Sequence, residues 1–314
     1  MGNNLSVRLK VKEAPTKGLT EYFNKTLFNH PRHVLLQSED AISFLLMIGD
    51  EYHGIFHCII EEGVAYSPIK SLFGGFETSK KVNNDELRNF IITSIKSLKK
   101  KKVERIRITI PANFFRKPKT KAQRKILQEL GFTKVLKLKN HHIEITKKTL
   151  LPQLHEMEKR KLKKCNKEGL AFYQEANDML PILYNFISLC RKEKKQALNI
   201  SLENLQQSME SFPENYFIFS VKLNNEIFAV TVAVRVNENI LYNFLPASPT
   251  KFNHLSPMVK LIDGLYSYAR SNHYKYLDLG VSTTKDGKDQ DSLVAFKKHM
   301  GGIRSTKVVM EKQL

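Results

Sequence analysis

Phe296-Lys297 falls in a short helix predicted over residues 292–299, which stops at Gly301-Gly302. Upstream, Leu277-Asp278-Leu279-Gly280-Val281-Ser282 reads as a strand running into a polar loop rich in Gly, Asp and Lys. The strand end delivers backbone groups, the loop leaves room for a ligand, and the helix presents an aromatic beside a cation. Together they outline a group-transfer site. Moving an acyl group to an amine needs a deprotonated amine, a cleft that aligns the reactants, and a donor aimed at the oxyanion of the tetrahedral intermediate. Lys297 is the candidate for that donor, with a merely solvated helix lysine as the plain alternative. Period-2 alternation turns Asp278 away from Leu277 and Leu279. It is therefore a candidate base or orienter of the amine, or else a partner for the following loop. Ser282 is a ligand donor or a cap. Tyr242 and Asn243, on an earlier strand, are candidates to line the acceptor cleft.

Those residues need elements to position them. In the second half, a basic helix over 150–167 with Gly169 as its stop precedes a strand over 170–174. Asp178 is placed to cap a helix whose apolar positions Leu180, Leu183, Tyr184, Ile187 and Cys190 keep a helical period. Strands over 216–222, 227–235 and 240–245, joined by short Asn-rich turns, make an antiparallel meander. A helix over 257–271, a strand over 276–281, the helix of Lys297 and a strand over 304–310 complete the half. Asp291 or Ser292 is the expected cap of the Lys297 helix. The first half repeats this order: a hairpin over 43–61, a strand from Gly63, a helix over 85–98, a strand over 103–110, a helix over 120–130 and a strand over 141–145. Pairing Ser67 with Ser248, Leu87 with Leu261, Ile108 with Leu279 and Gly131 with Gly301 gives separations between 181 and 170. Such a narrow range argues for an internal duplication. The expected architecture is mixed α/β, in two domains over residues 1–148 and 149–314.

Net charge is +20, and it is concentrated. Residues 96–167 hold 24 Lys/Arg against five Asp/Glu, while the stretches before and after are nearly neutral. Lys99, Lys100, Lys101, Lys102, Arg105, Arg107, Arg116 and Arg124 belong to this window, which favours polyanions. Solvated lysines with no partner are the bland alternative. No apolar run is long enough to span a bilayer. No charged-then-apolar leader opens the chain, so a cytoplasmic location is expected. The start MGNNLS fits a myristoylation pattern at Gly2, a short pattern that recurs by chance. Cys58, Cys165 and Cys190 read as buried free thiols. Metal spacings, phosphate loops and dinucleotide motifs are all lacking.

The order of meander, helix, Leu-Asp-Leu-Gly-x-Ser strand and Phe-Lys-x-x-x-Gly-Gly resembles the tandem GNAT-fold acyltransferases, in particular their FemABX-like branch and its acetyltransferase relatives. Tyr66-Ser67-Pro68 and Leu72-Phe73-Gly74-Gly75-Phe76 resemble the Ser-Pro…Pro-Phe-Gly-Gly segment of the first domain, with Leu72 where proline is usual. The resemblance implies two GNAT domains, the first for substrate or polyanion and the second for transfer. It places Phe296 and Lys297 at the transfer site and makes Phe73, Gly74 and Gly75 candidate substrate contacts. It implies an N-acyltransferase with an amine-bearing acceptor, using acyl-CoA or aminoacyl-tRNA as co-substrate and no tightly bound cofactor. A tRNA or nucleotide-linked substrate would suit the basic window. The long helical arm of some FemABX aminoacyltransferases has no counterpart here. Residues 249–258 lack the glycines of the usual CoA pyrophosphate turn. The rival reading is a non-catalytic, basic nucleic-acid-binding protein on a degenerate GNAT fold.

Overall fold

A computed structural model describes residues 9–19, 26–68, 71–115, 117–284 and 287–314. The myristoylation pattern, Arg116 and Asp286 lie outside them. The elements, in chain order, are β1 (Leu9–Pro15), α1 (Pro31–Leu35), β2 (Ile42–Ile48), β3 (Glu51–Glu61), β4 (Val64–Ser67), β5 (Glu77–Thr78), α2 (Asn84–Lys100), β6 (Arg105–Ile110), α3 (Lys117–Glu129) and β7 (Thr133–Glu144). There follow α4 (Glu156–Lys167), β8 (Ala171–Glu175), α5 (Leu180–Glu193), α6 (Leu202–Ser211), β9 (Tyr216–Leu223), β10 (Glu226–Asn237), β11 (Ile240–Asn243), α7 (Pro257–Ser271), β12 (Tyr276–Val281), α8 (Asp291–His299) and β13 (Ile303–Gln313).

Two compact units emerge. The first comprises Met1–Leu138 with Thr306–Leu314, the second Lys139–Ser305. The division expected at 148/149 thus moves to 138/139, and the last strand joins the first unit. In the first unit β1 to β4 form an antiparallel meander, β6 runs parallel to β4, and β13 closes antiparallel on β6. In the second unit β8 to β11 form the meander, β12 runs parallel to β11, and the end of β7 closes antiparallel on β12. Each unit takes its closing strand from the far end of the chain's other half. Sequence order alone could not show that exchange.

Local chemistry accounts for most element ends. The side chain of Asn83 accepts from the Asp85 and Glu86 backbone, and Glu86 returns a bond to the Asn83 N–H, a capping box that starts α2. Pro257 opens α7, whose Val259, Leu261, Ile262, Leu265, Tyr266 and Ala269 pack into the second core. Some expected ends differ. A 3-10 turn, Asn177–Met179, precedes α5, so Asp178 does not cap it. Gln290, without a side-chain bond, occupies the cap of α8 in place of Asp291 or Ser292. The helix expected over 150–167 splits into a 3-10 turn, Leu151–Gln153, and α4, because His155 turns extended and its ring caps the Met157 N–H. The three cysteines are free and buried, as expected.

Buried histidines make the fold acid-labile. The His57 ring accepts from the Ser43 hydroxyl at Nδ1 and donates from Nε2 to the Asn29 carbonyl. Burial holds its pKa down to about 4, against that donated bond. Burial likewise holds His33, His141 and His142 near 4. A histidine depressed in the fold gives stability that is complete above the unfolded value near 6.5 and is lost as pH falls toward 4. Each should remove about 1 kcal/mol per pH unit across that window. Urea midpoints are therefore expected to hold above about pH 6.5 and to drop steeply from there toward pH 4; a flat profile would contradict the neutral assignment.

Candidate functional site

Pairing between the parallel strands β11 and β12 ends at Tyr242–Asp278. Beyond that point the two strands line a cleft of about 540 Å³, built wholly from residues of the second unit. A ligand cleft past the carboxyl ends of parallel strands is where an α/β sheet leaves backbone and side chains open. Leu279, Gly280 and Val281 form one wall, Tyr242, Asn243 and Phe244 another. The start of α7 (Pro257, Met258, Val259) and the α8 pair Phe296-Lys297 complete it.

Lys297 is mostly buried and lines this cleft. Its ammonium donates to the Gly280 carbonyl at 3.0 Å and the Val281 carbonyl at 2.8 Å. Those carbonyls are presented by an irregularity in β12: the register on β7 shifts between Asp278 and Gly280, and Gly280 takes φ +74. Only glycine adopts that conformation at little cost, and a Cβ there would come within 3.2 Å of the Tyr242 ring. Asp278 holds the irregularity from beneath. It is fully buried, and its Oδ1 accepts from the Gly280 N–H at 2.9 Å and from Asn140 Nδ2 at 2.8 Å. It does not line the cleft, and its bond to the Gly280 N–H matches the alternative considered from sequence, a partner for the following loop.

Ser282 is also buried outside the cleft lining. Its N–H donates to the Lys139 carbonyl, its carbonyl accepts from Gln290 N–H, and its hydroxyl lies 3.4 Å from His141 Nδ1. It secures the loop before α8. His141 is kept neutral first by burial and then by the positive charge of Lys297. Tyr242 and Phe296 do line the cleft. Burial and the neighbouring Asp278 push the Tyr242 phenol up, so it stays protonated.

Two cleft cations, Arg191 and Lys194, went unassigned in the sequence, and a third, Lys161, was read only as part of the basic window. Lys161 on α4, bonded to the buried Glu158 at 3.0 Å, and Arg191 and Lys194 around the end of α5 all line the cleft. Arg191 donates to the Pro246 carbonyl at 3.1 Å and to Gln196 at 2.7 Å, and Lys194 donates to the Ser248 carbonyl at 2.7 Å. The available signal was the i, i+3 spacing of Arg191 and Lys194 on a helix whose apolar face was already evident. No carboxylate lines this cleft among the described residues. The turn into α7 is equally distinctive. Ser256 takes the left-handed conformation at φ 53 that a glycine would otherwise supply, Pro257 has no N–H, and Val259 N–H is taken by the Ser256 carbonyl. The backbone nest that would cradle a pyrophosphate is therefore depleted.

The first unit fills the equivalent fork with its own chain. Gly74 N–H donates to the Thr109 carbonyl at 2.9 Å and Gly75 N–H to Ser67 Oγ at 3.0 Å. A Cβ on Gly74 would meet Ser67 at 2.6 Å, and one on Gly75 would meet Gln123 at 2.7 Å. Phe73 is buried beside them, and the adjoining cavity is only about 40 Å³. The glycines permit close packing here, which leaves little room for the substrate contact expected of Phe73, Gly74 and Gly75.

The basic window divides. Lys101 pairs with Glu13 at 2.7 Å, and Arg107 pairs with Glu311 directly across from it on β13. Arg124 donates to the Pro111 and Thr306 carbonyls, both at 2.7 Å, and burial lowers its pKa to about 10. Arg124 is thus held by the fold, while Lys101 and Arg107 carry ion pairs at the surface. Lys99, Lys100, Lys102 and Arg105 are exposed.

A meander continued by a helix and a parallel strand defines the GNAT-related fold, present here in both units, and the second unit keeps a cleft at the parallel pair. Comparison with solved structures narrows it. FemX superposes with a TM-score of 0.68 at 15% identity, over 96% of this chain and 90% of that one. The C-terminal domain of a putative lysylphosphatidylglycerol synthetase from Agrobacterium fabrum gives 0.56 at 9% identity, over 82% and 80%. A tandem GNAT protein from the clavulanic acid biosynthesis pathway gives 0.52 at 8% identity, over 98% of both chains. The fold is FemABX-like and GNAT-related, as in FemX and the tandem GNAT protein. No protein-family model matches the sequence, and no curated protein matches it either. Among the described residues no helix is long and apolar enough to cross a membrane.

Proposed function

We propose that the chain is an N-aminoacyltransferase that moves an aminoacyl group from the 3′ end of a charged RNA to an amine-bearing acceptor in the cleft of the second unit. One observation carries this reading. The fork that holds Lys297 on two carbonyls is also lined by Lys161, Arg191 and Lys194, while its backbone nest for a pyrophosphate is depleted. Side-chain cations suit the phosphodiesters of an RNA end, whereas CoA in this fold depends on backbone N–H groups. The exposed Lys99, Lys100, Lys102 and Arg105 of the first unit offer a second basic surface for the body of such an RNA.

The acceptor nitrogen attacks the ester carbonyl, and the carbonyl oxygen becomes an oxyanion facing the Lys297 ammonium. The tetrahedral intermediate then collapses, breaking the bond to the ribose oxygen and leaving an amide. No carboxylate or imidazole lines the cleft among the described residues, so the amine's proton goes to the departing ribose oxygen. Phe296 shields the reacting centre on the α8 side, which strengthens the ammonium's field. The choice of donor is tested by equilibrium binding of a CCA-ended hairpin RNA, carrying an amide-linked amino acid, with CoA as competitor. Tight RNA binding that falls with salt and resists CoA supports the reading; CoA binding without RNA binding overturns it.

A further inference from the structure

Asn243 ends β11, at the point where pairing with β12 has ceased, and its side chain lines the cleft while only 4% exposed. Thr231 of the neighbouring β10 donates to its Oδ1 at 2.7 Å, which leaves the Nδ2 amino group for another partner. Among the described residues nothing accepts from that amino group. Two other polar side chains of the lining are engaged: Ser248 donates to the Phe228 carbonyl at 2.9 Å, and Gln196 accepts from Arg191. The wall around Asn243 is apolar, with Phe244, Ile262 and Leu279. An amide donor beside apolar residues of a cleft gains most from a ligand atom that accepts from it.

We propose that Asn243 selects the transferred group, favouring aminoacyl side chains that carry an oxygen acceptor (hydroxyl, carboxamide or carboxylate) over apolar side chains of the same size. The inference rests on the cleft being the aminoacyl-RNA site. A hydrophobic pocket discriminates weakly between isosteres, whereas a site built around a hydrogen bond rejects the analogue that leaves its donor unpaired. Asn243 supplies a neutral, directional donor beside the apolar residues Phe244, Ile262 and Leu279 of the same lining.

The test uses 3′-amino-3′-deoxyadenosine 5′-phosphate acylated through a stable amide with threonine or with valine, which differ by a hydroxyl in place of a methyl. Isothermal titration of the full chain is expected to show the threonyl conjugate binding about a hundredfold tighter. Asn243→Leu should bring that ratio near one while leaving the unacylated nucleotide's affinity unchanged. Asn243→Asp, which keeps the shape but removes the donor, should abolish the preference as well. The proposal is overturned if the wild-type ratio is near one. It is also overturned if Asn243→Leu weakens both conjugates equally, since the donor would then serve a carbonyl common to all substrates. Tighter binding of both conjugates by Asn243→Asp would overturn it too, because the amide oxygen would then face the ligand. If no form of the nucleotide binds, the reading of the cleft fails along with it; nucleotide binding without side-chain preference leaves that reading standing.

Discussion

Replacing Lys297 with alanine is expected to slow transfer about 10²–10³-fold, the usual consequence of removing one pre-organised oxyanion donor. The ammonium is fixed before substrate arrives, because the Gly280 and Val281 carbonyls already hold it at 3.0 and 2.8 Å. No reorganisation is then needed when charge develops on the substrate. The loss should fall on the rate of the chemical step and not on RNA affinity, since a single cation of the four leaves the electrostatic attraction largely in place. Lys297→Arg should rescue poorly: a planar fork cannot reproduce a compact ammonium on two carbonyls. The readout is single-turnover release of the amino acid from a charged hairpin RNA to glycinamide. An unchanged rate for Lys297→Ala, in protein with an unaltered far-UV spectrum, would remove Lys297 from the mechanism.

The second large effect concerns binding. Changing Lys161, Arg191 and Lys194 together to alanine should weaken RNA binding about 10²-fold or more at moderate salt. The slope of log affinity against log salt should fall by about two to three, one counterion for each phosphate no longer neutralised. The three side chains lie at the cleft and are anchored by Glu158, Gln196 and backbone carbonyls, so they meet a ligand with little further loss of rotamer freedom. The corresponding change of Lys99, Lys100 and Lys102 should lower the slope without touching the rate of transfer. If the cleft triple variant keeps both affinity and slope, the phosphates are not held there.

Much of the second unit was legible in the sequence. Residues 257–271 and 276–281 coincide with α7 and β12 because Pro257 and the apolar period mark one, and a short apolar run bounded by polar turns marks the other. The duplication was visible as parallel spacing of landmarks. The exchange of β7 and β13 was not, because a strand's partner is a long-range fact that its own residues do not encode. β7 was expected only over 141–145, whereas it begins at Thr133, where Lys134 and Lys137 interrupt the apolar run. At the site, Lys297, Phe296, Tyr242 and Asn243 do line the cleft, whereas Asp278 and Ser282 lie buried behind it. Their partners, Asn140 and the Lys139 carbonyl, come from the other half of the chain, which strand alternation does not reveal. Arg107 and Arg124 looked like ligands for polyanions because their partners, Glu311 and the Thr306 carbonyl, come from the far end of the chain.

The most direct test of the cleft as the RNA-end site is to oxidise the 3′-terminal ribose of a CCA-ended RNA with periodate, bind it, reduce with borohydride, and map the modified lysine. The dialdehyde reacts only with an amine it can reach. The predicted result is an adduct on Lys297, Lys161 or Lys194; an adduct confined to lysines of the first unit, such as Lys99 or Lys102, would contradict the account.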